Sequence, residues 1–200
     1  WTALVKGKDE LLEKPRDTVQ GLMPIASFVQ LQNQTGAALI NMCHRQLSLL
    51  EKVLDGTALL SSEVEKVGQM LLIDEVPRSW DKQWEGPESA SAFLRGLVAR
   101  VGALRGWRDK CEKNTLLATP LALRDVFRCT PLLNALRQET ARKAGVALDE
   151  LRLDCAWGKG AKLDNCAMSL EIDECIIQGC SFENGKLTEL SADSPNFSKL

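Results

Sequence analysis

Histidine is almost missing from this sequence: His44 is the only one among 200 residues. That excludes multi-histidine metal sites and leaves acid–base chemistry at neutral pH one conventional player. Cysteine occurs seven times, at positions 43, 111, 129, 155, 166, 175 and 180, but no two form CxxC and the count is odd. A reduced cytosolic protein is the simplest reading. Excess charge of either sign is also lacking, because 25 Lys plus Arg face 27 Asp plus Glu, and no nucleic-acid or anionic-membrane partner is implied. No long apolar run exists. The charge-free stretch from Thr18 to His44 contains Gln20, Gln30, Gln32, Asn33, Gln34 and Asn41, each of which would need a partner in lipid, so a transmembrane helix is rejected. The sequence opens at Trp1 without a Met or a basic n-region, so no signal peptide is read and a start in mid-protein is expected. Neither GxxxxGKS/T nor GxGxxG occurs, and the nearest approach, Gly158-Lys159-Gly160, reads as a loop between strands.

What is present is a globular composition, 44% hydrophobic, sufficient for one sizeable core or two modest ones. Residues 1–23 are mixed and charged, with Pro15 and Gly21, and read as a connector, with room for a short helix. Pro24 suits the first turn of a helix. From there Ile25, Phe28, Leu39, Met42, Cys43, Leu47, Leu50, Val53 and Leu54 recur at helical spacing up to Asp55-Gly56, which predicts a helix of about 30 residues, ~45 Å long. Ser62-Glu63-Val64-Glu65 has capping-box order and predicts a second helix from Ser62 to about Ile73. Asp74 to Pro87 holds Pro77, Trp80, Trp84 and Pro87, an ordered loop whose indoles should anchor on the helices.

Phe93, Leu97, Val101, Leu104, Trp107 and Cys111 step by three and four and predict a third long helix, with arginines on its other face. Leu121-Ala122-Leu123 reads as a short extended piece, and Pro131 opens a fourth helix to Lys143, stopped by Gly145. From Leu148 the period shortens to two, through Leu151, Leu153 and Cys155, then Cys166, Met168, Leu170 and Ile172. Cys175 to Phe182 and Lys186 to Leu190 complete the expected strands, joined at Glu183-Asn184-Gly185 by a tight hairpin. The fold class read from this is α+β: long amphipathic helices over 24–147, then strands over 148–200 that either pack on the helices or belong to a larger sheet.

Charge is uneven along the sequence. Ser89 to Lys113 carries Arg95, Arg100, Arg105, Arg108, Lys110 and Lys113 against Asp109 and Glu112, whereas Asp149 to Asp193 is predominantly acidic. Solvated faces are the ordinary explanation, with local pairs worth ~0–1 kcal/mol; complementary docking is the sharper one. Cys43-His44 invites a thiolate–imidazolium reading, but neighbouring helical residues diverge by ~100°, and a buried Cys beside a partly exposed His is expected instead. Cys155, Cys166, Cys175 and Cys180 match no common zinc spacing. No catalytic, cofactor-binding or metal-ligating residue is assigned. A free-standing helical adaptor and a cysteine-dependent enzyme or redox sensor remain the alternatives to any structural role.

Two blocks carry a family resemblance. Leu133 to Arg142, followed by Leu148-Asp149-Glu150-Leu151, resembles the "FLxAxxQxxAR…LDxL" pattern of dynein heavy chains, with Gln138, Ala141 and Arg142 matching it directly. Ile177 to Glu183, with Leu187 and Glu189, resembles their "LxGAxW" hairpin, with Phe182 at an aromatic position. Gly56 to Val64, Trp84-Glu85-Gly86-Pro87-Glu88 and Leu94 to Arg100 are similar to the cytoplasmic dynein 2 branch. The sequence departs from the family at Leu132, where an aromatic is usual, and at Pro131, which follows Phe127 later than the pattern has it.

The resemblance implies a C-terminal domain of helices followed by the first strands of a small β-barrel, cut short at residue 200, with residues 1–23 leading from a preceding AAA+ module. It implies no cofactor in this segment, with ATP and Mg in upstream modules, and the AAA+ ring of the same heavy chain as partner. Through the parent it implies an ATP-driven, minus-end-directed microtubule motor for retrograde intraflagellar transport. Microtubules, dynein intermediate, light-intermediate and light chains, transport trains and a second heavy chain are then further partners. The location is cytoplasm, cytoskeleton and the ciliary axoneme. Within the domain, Leu133 and Leu136 are expected toward the core, and Arg137 and Arg142 toward a partner surface or solvent.

Overall fold

The computed structural model describes residues 1–6, 9–13, 23–152, 168, 171–173, 180–183 and 186–189. The connector holds α1 (Thr2–Val5) and a 3-10 turn (Asp9–Leu12) whose Leu11 is buried in the core. Five further helices follow: α2 (Pro24–Leu54), α3 (Ser62–Leu72), α4 (Arg78–Asp81), α5 (Ala90–Glu112) and α6 (Thr130–Ala144). The four long ones match the apolar periods, and α2 is 31 residues long with Pro24 in its first turn.

Local chemistry sets the helix ends with two differences from expectation. The cap of α3 is Ser61, not Ser62: its Oγ accepts the Val64 N–H at 3.4 Å, and Glu65, the carboxylate of the expected box, accepts Gln69 Nε2 at 3.3 Å. The Trp loop is not irregular throughout, since Arg78–Asp81 closes one helical turn after Pro77, placing Trp80 inward. Gly145 ends α6 in the left-handed region (φ 67°), donating its N–H to Ala141 O, as glycine does at a helix C-terminus.

Two apolar clusters form the core. The first joins Leu39, Ile40 and Cys43 of α2 to Val67, Trp80, Trp84, Phe93, Leu97 and Val101. The second gathers Ile25, Phe28 and Val29 with Leu104, Trp107, Leu121, Leu132 and Leu136. Phe127 packs against both. On α6 the buried positions are Leu132, Ala135, Leu136, Glu139 and Thr140, so the expectation for Leu136 holds but that for Leu133 does not; Leu133 is 40% exposed. Starting the helix at Thr130 makes Leu132 the residue that leads the 3–4 spacing, and Leu133 is rotated off it.

The strands are more fragmentary than the alternation suggests. β1 (Leu121–Ala122) pairs in parallel with β2 (Ile172–Asp173), so a strand after the helices returns to them. Leu123 does not extend β1 but opens a 3-10 turn. Leu148–Glu150 is likewise a 3-10 turn instead of a strand start; Arg137 Nη2 donates to Leu148 O at 2.9 Å and Leu151 O at 3.4 Å, holding this segment against α6. Arg137 is therefore half-buried and partly engaged within the domain, while Arg142 is exposed.

β3 (Cys180–Glu183) and β4 (Lys186–Glu189) form the antiparallel hairpin, with Phe182 opposite Leu187 and Glu183 opposite Lys186. Its Asn184-Gly185 turn, the Leu153–Cys155 alternation and Gly158-Lys159-Gly160 lie outside the described residues, as do Cys155, Cys166 and Cys175. Among the described residues the strands make two separate two-stranded ladders, and these do not close the expected barrel.

Candidate functional site

Exposed apolar side chains gather at both ends of α3: Leu72 and Ile73 at its C-terminal end, and three leucines at the α2–α3 turn. Leu54 is 79% exposed, Leu59 93% and Leu60 56%. The helical spacing places Leu54 with the core series, but at the last residue of α2 Leu54 faces solvent. The turn itself is tightly held. Lys52 O accepts the N–H groups of Thr57 and Ala58 at 2.9 and 3.1 Å and the Thr57 hydroxyl at 3.0 Å. Gly56 supplies the left-handed residue (φ 70°) that this reversal requires. Ser61 then caps α3.

A buried polar relay fixes the hairpin to the body. The indole Nε1 of fully buried Trp80 donates to Gln46 Oε1 at 2.5 Å, and Gln46 Nε2 donates to Glu63 Oε1 at 2.7 Å. Every polar atom of the Gln46 amide head that faces these partners is thus used, which removes the desolvation penalty of burying it. Trp84 is held from three sides. Phe93 lies 4.7 Å away, Phe127 meets it edge-on at 5.5 Å, and the Arg100 guanidinium sits 4.5 Å above its ring. Burial pulls the Arg100 pKa down from its ordinary value, with Asp125 opposing, and the cation–π contact gives that half-buried charge a partner.

The loop carrying both indoles is closed at its neck by Asp74. Its carboxylate accepts the Ser89 hydroxyl at 2.6 Å, the Ser91 N–H at 2.9 Å and the Ser91 hydroxyl at 3.3 Å. The Ser89 hydrogen bond, followed by that from the Ser91 backbone, holds the Asp74 carboxyl below its usual 3.8.

The basic face of α5 is partly consumed within the domain. Arg100 covers Trp84, Arg105 Nη2 donates to Glu13 O at 3.2 Å, and Arg108 lies 3.2 Å from Asp109 and 3.9 Å from Glu112. Arg95 remains exposed and, with Glu10, lines an open groove of about 440 Å³ whose apolar walls include Leu4, Leu11, Val98 and Ala99.

Cys43 and His44 are not brought together as a catalytic pair. Cys43 is fully buried, and burial pushes its thiol up to about 12. His44 instead accepts the Trp1 indole N–H on Nδ1 at 2.9 Å, tying the connector to α2. Among the described residues no group of three His, Cys, Asp or Glu side chains is arranged to hold a metal ion, and no helix is long and apolar enough to cross a membrane. Sequence reasoning missed Leu59 and Leu60 as surface features. The signal was their position between a Gly-containing stop and a Ser cap, outside either apolar period.

The family of C-terminal domains of dynein heavy chains matches residues 6–200. The protein is 40% identical over 202 residues to cytoplasmic dynein 2 heavy chain 1 of Homo sapiens, an alignment covering 100% of this sequence and 5% of that protein. It is 36% identical over 214 residues to the protein of the same name from Chlamydomonas reinhardtii, covering 98% of this sequence and 5% of the relative. Dynein axonemal heavy chain 9 of Homo sapiens is 29% identical over 116 residues, 58% of this sequence and 2% of its own length. The protein thus spans about 5% of the length of the dynein 2 relatives.

Proposed function

This chain belongs to the family of C-terminal domains of dynein heavy chains, and from that premise we propose that it is the ring-associated regulatory segment of a dynein 2 heavy chain. The observation that carries the branch is the reach of the likeness: dynein 2 heavy chains align over all 200 residues, the axonemal one over little more than half and less closely. In this reading the parent is an ATP-driven, minus-end-directed microtubule motor for retrograde intraflagellar transport, working in the cytoplasm and along the ciliary axoneme. ATP, Mg and microtubules bind upstream modules. Residues 1–23 lead from the preceding AAA+ module, and 148–200 begin a small barrel in which β3–β4 is one hairpin.

The physical features that support a brace are the fixed ones. Long helices pinned by Trp80, Trp84 and buried amides resist bending, and a stiff body leaning on an ATP-driven ring biases how its modules move. The segment contacts that ring directly. Intermediate, light-intermediate and light chains, transport trains and the second heavy chain are partners of the parent.

Nucleotide assays test this division of labour. The purified segment is expected to bind and hydrolyse no ATP, while a heavy chain lacking it retains ATP hydrolysis. ATP turnover by the segment alone would overturn the reading.

A further inference from the structure

We propose that the tip of the α2–α3 hairpin, Leu54, Leu59 and Leu60, is where this domain docks onto an apolar surface in a preceding segment of the same heavy chain. The inference rests on the ring-associated reading and gives it a contact.

Single exposed leucines are ordinary on protein surfaces. Here three stand within one short turn, at 79%, 93% and 56% exposure. The turn that carries them is already ordered by the three donors on Lys52 O and by the Ser61 cap. Docking such a preformed tip loses little conformational entropy. The exposed charges around it are Glu51, Asp55, Glu63 and Glu65 against Lys52 and Lys66, and the leucines themselves supply the apolar contact.

Size decides between occupants. Three leucines offer roughly half of the ~800 Å² that each side of a stable interface between separate molecules buries. A second copy or a free soluble partner would need more. A surface on the same polypeptide meets the tip in an intramolecular step, so a smaller patch is enough. In a C-terminal domain the rest of the heavy chain precedes, and the dynein 2 relatives are about twenty times longer than this protein.

The test replaces Leu59 by the photo-crosslinking residue p-benzoylphenylalanine in the intact heavy chain and maps the products by mass spectrometry. Differently tagged heavy chains are mixed to separate products within one polypeptide from those between two. The expected product joins residue 59 to a site upstream in the same polypeptide. Its yield should fall at least several-fold when Leu54→Ser and Leu60→Ser are added, with the fold intact because both side chains are solvent-facing. No crosslink, one to another protein, or one to the second heavy chain overturns the proposal. If removing the whole segment leaves velocity and run length unchanged, the ring-associated reading fails; if removal changes them and residue 59 gives no product within its own polypeptide, only the docking site fails.

Discussion

Glu139 on α6 accepts the backbone N–H of Ile25 at 3.1 Å, across 114 positions of sequence. Ile25 lies in the first turn of α2, where N–H groups have no intrahelical partner, so one helix caps another. The other carboxylate oxygen of Glu139 takes Lys143 Nζ at 2.9 Å. Glu139 lies inside the block that carries the family resemblance, and this is its structural role.

Glu139→Ala leaves a buried amide unpaired and is expected to cost about 1–3 kcal/mol, read from urea denaturation followed by tryptophan fluorescence. Glu139→Gln keeps an acceptor and should cost less. Lys143→Ala, removing only the exposed partner, should stay within ~1 kcal/mol. Equal losses at Glu139→Ala and Lys143→Ala would contradict the capping role.

Glycine to alanine changes should split by sign. A Cβ on Gly36 would meet Phe127 Cε2 at 2.9 Å and Val101 Cγ2 at 3.0 Å. Phe127 is itself set against Trp84, so it cannot withdraw freely, and overpacking of about 1–3 kcal/mol outweighs the ~1 kcal/mol helix gain. Gly102→Ala and Gly106→Ala meet nothing within 4 Å and should stabilise by roughly 0.5–1 kcal/mol each. Differential scanning calorimetry of the three variants checks the order; a stabilised Gly36→Ala would contradict the close packing of α2 and α5.

The four long helices were legible because apolar period, proline and glycine stops and serine caps all agree locally. Two adjacent serines offer the same hydroxyl to the first turn of α3, and Ser61 takes the cap. Other errors came where a long-range partner decides. Arg137 is drawn partly out of solvent because the backbone after α6 folds back against its guanidinium. The buried Gln32 and Asn33 told against a membrane in the sequence, but not what they bind: Gln32 Oε1 accepts the Phe127 N–H at 2.9 Å, and Asn33 Nδ2 donates to Leu104 O at 2.9 Å. Periodicity marks a face and cannot name the group opposite it. For the candidate site the sequence showed the block Gly56 to Val64, and only burial showed that its leucines face outward.

Asp74 should make the Trp loop acid-sensitive. Its charged form is favoured in the fold, so the stability it contributes is complete above its ordinary 3.8 and is lost as pH falls through the lowered folded value. Asp74→Asn tolerates the left-handed backbone (φ 55°) and removes the charge. At neutral pH this variant should be the less stable, and its denaturation midpoint should converge on that of the parent sequence in acid. Parallel curves from about pH 6 downward would contradict the assignment.

Thiol labelling separates a packed Cys43 from a reactive one. With its pKa raised from 9.0 to about 12, the neutral thiol is favoured in the fold; that contribution is complete below 9.0 and lost as pH rises toward about 12. At neutral pH a maleimide should modify exposed Cys129 quickly and Cys43 only on unfolding, with peptides mapped by mass spectrometry. Selective native-state labelling of Cys43 would revive the Cys43–His44 nucleophile.

The central claim, that this domain shapes how a dynein ring moves without binding its ATP, is tested most directly by single-molecule motility on microtubules. The intact heavy chain is compared with one lacking the segment that begins at Pro24. The prediction is an altered velocity or run length in a motor whose ring still assembles and hydrolyses ATP. Unchanged velocity and run length would contradict it.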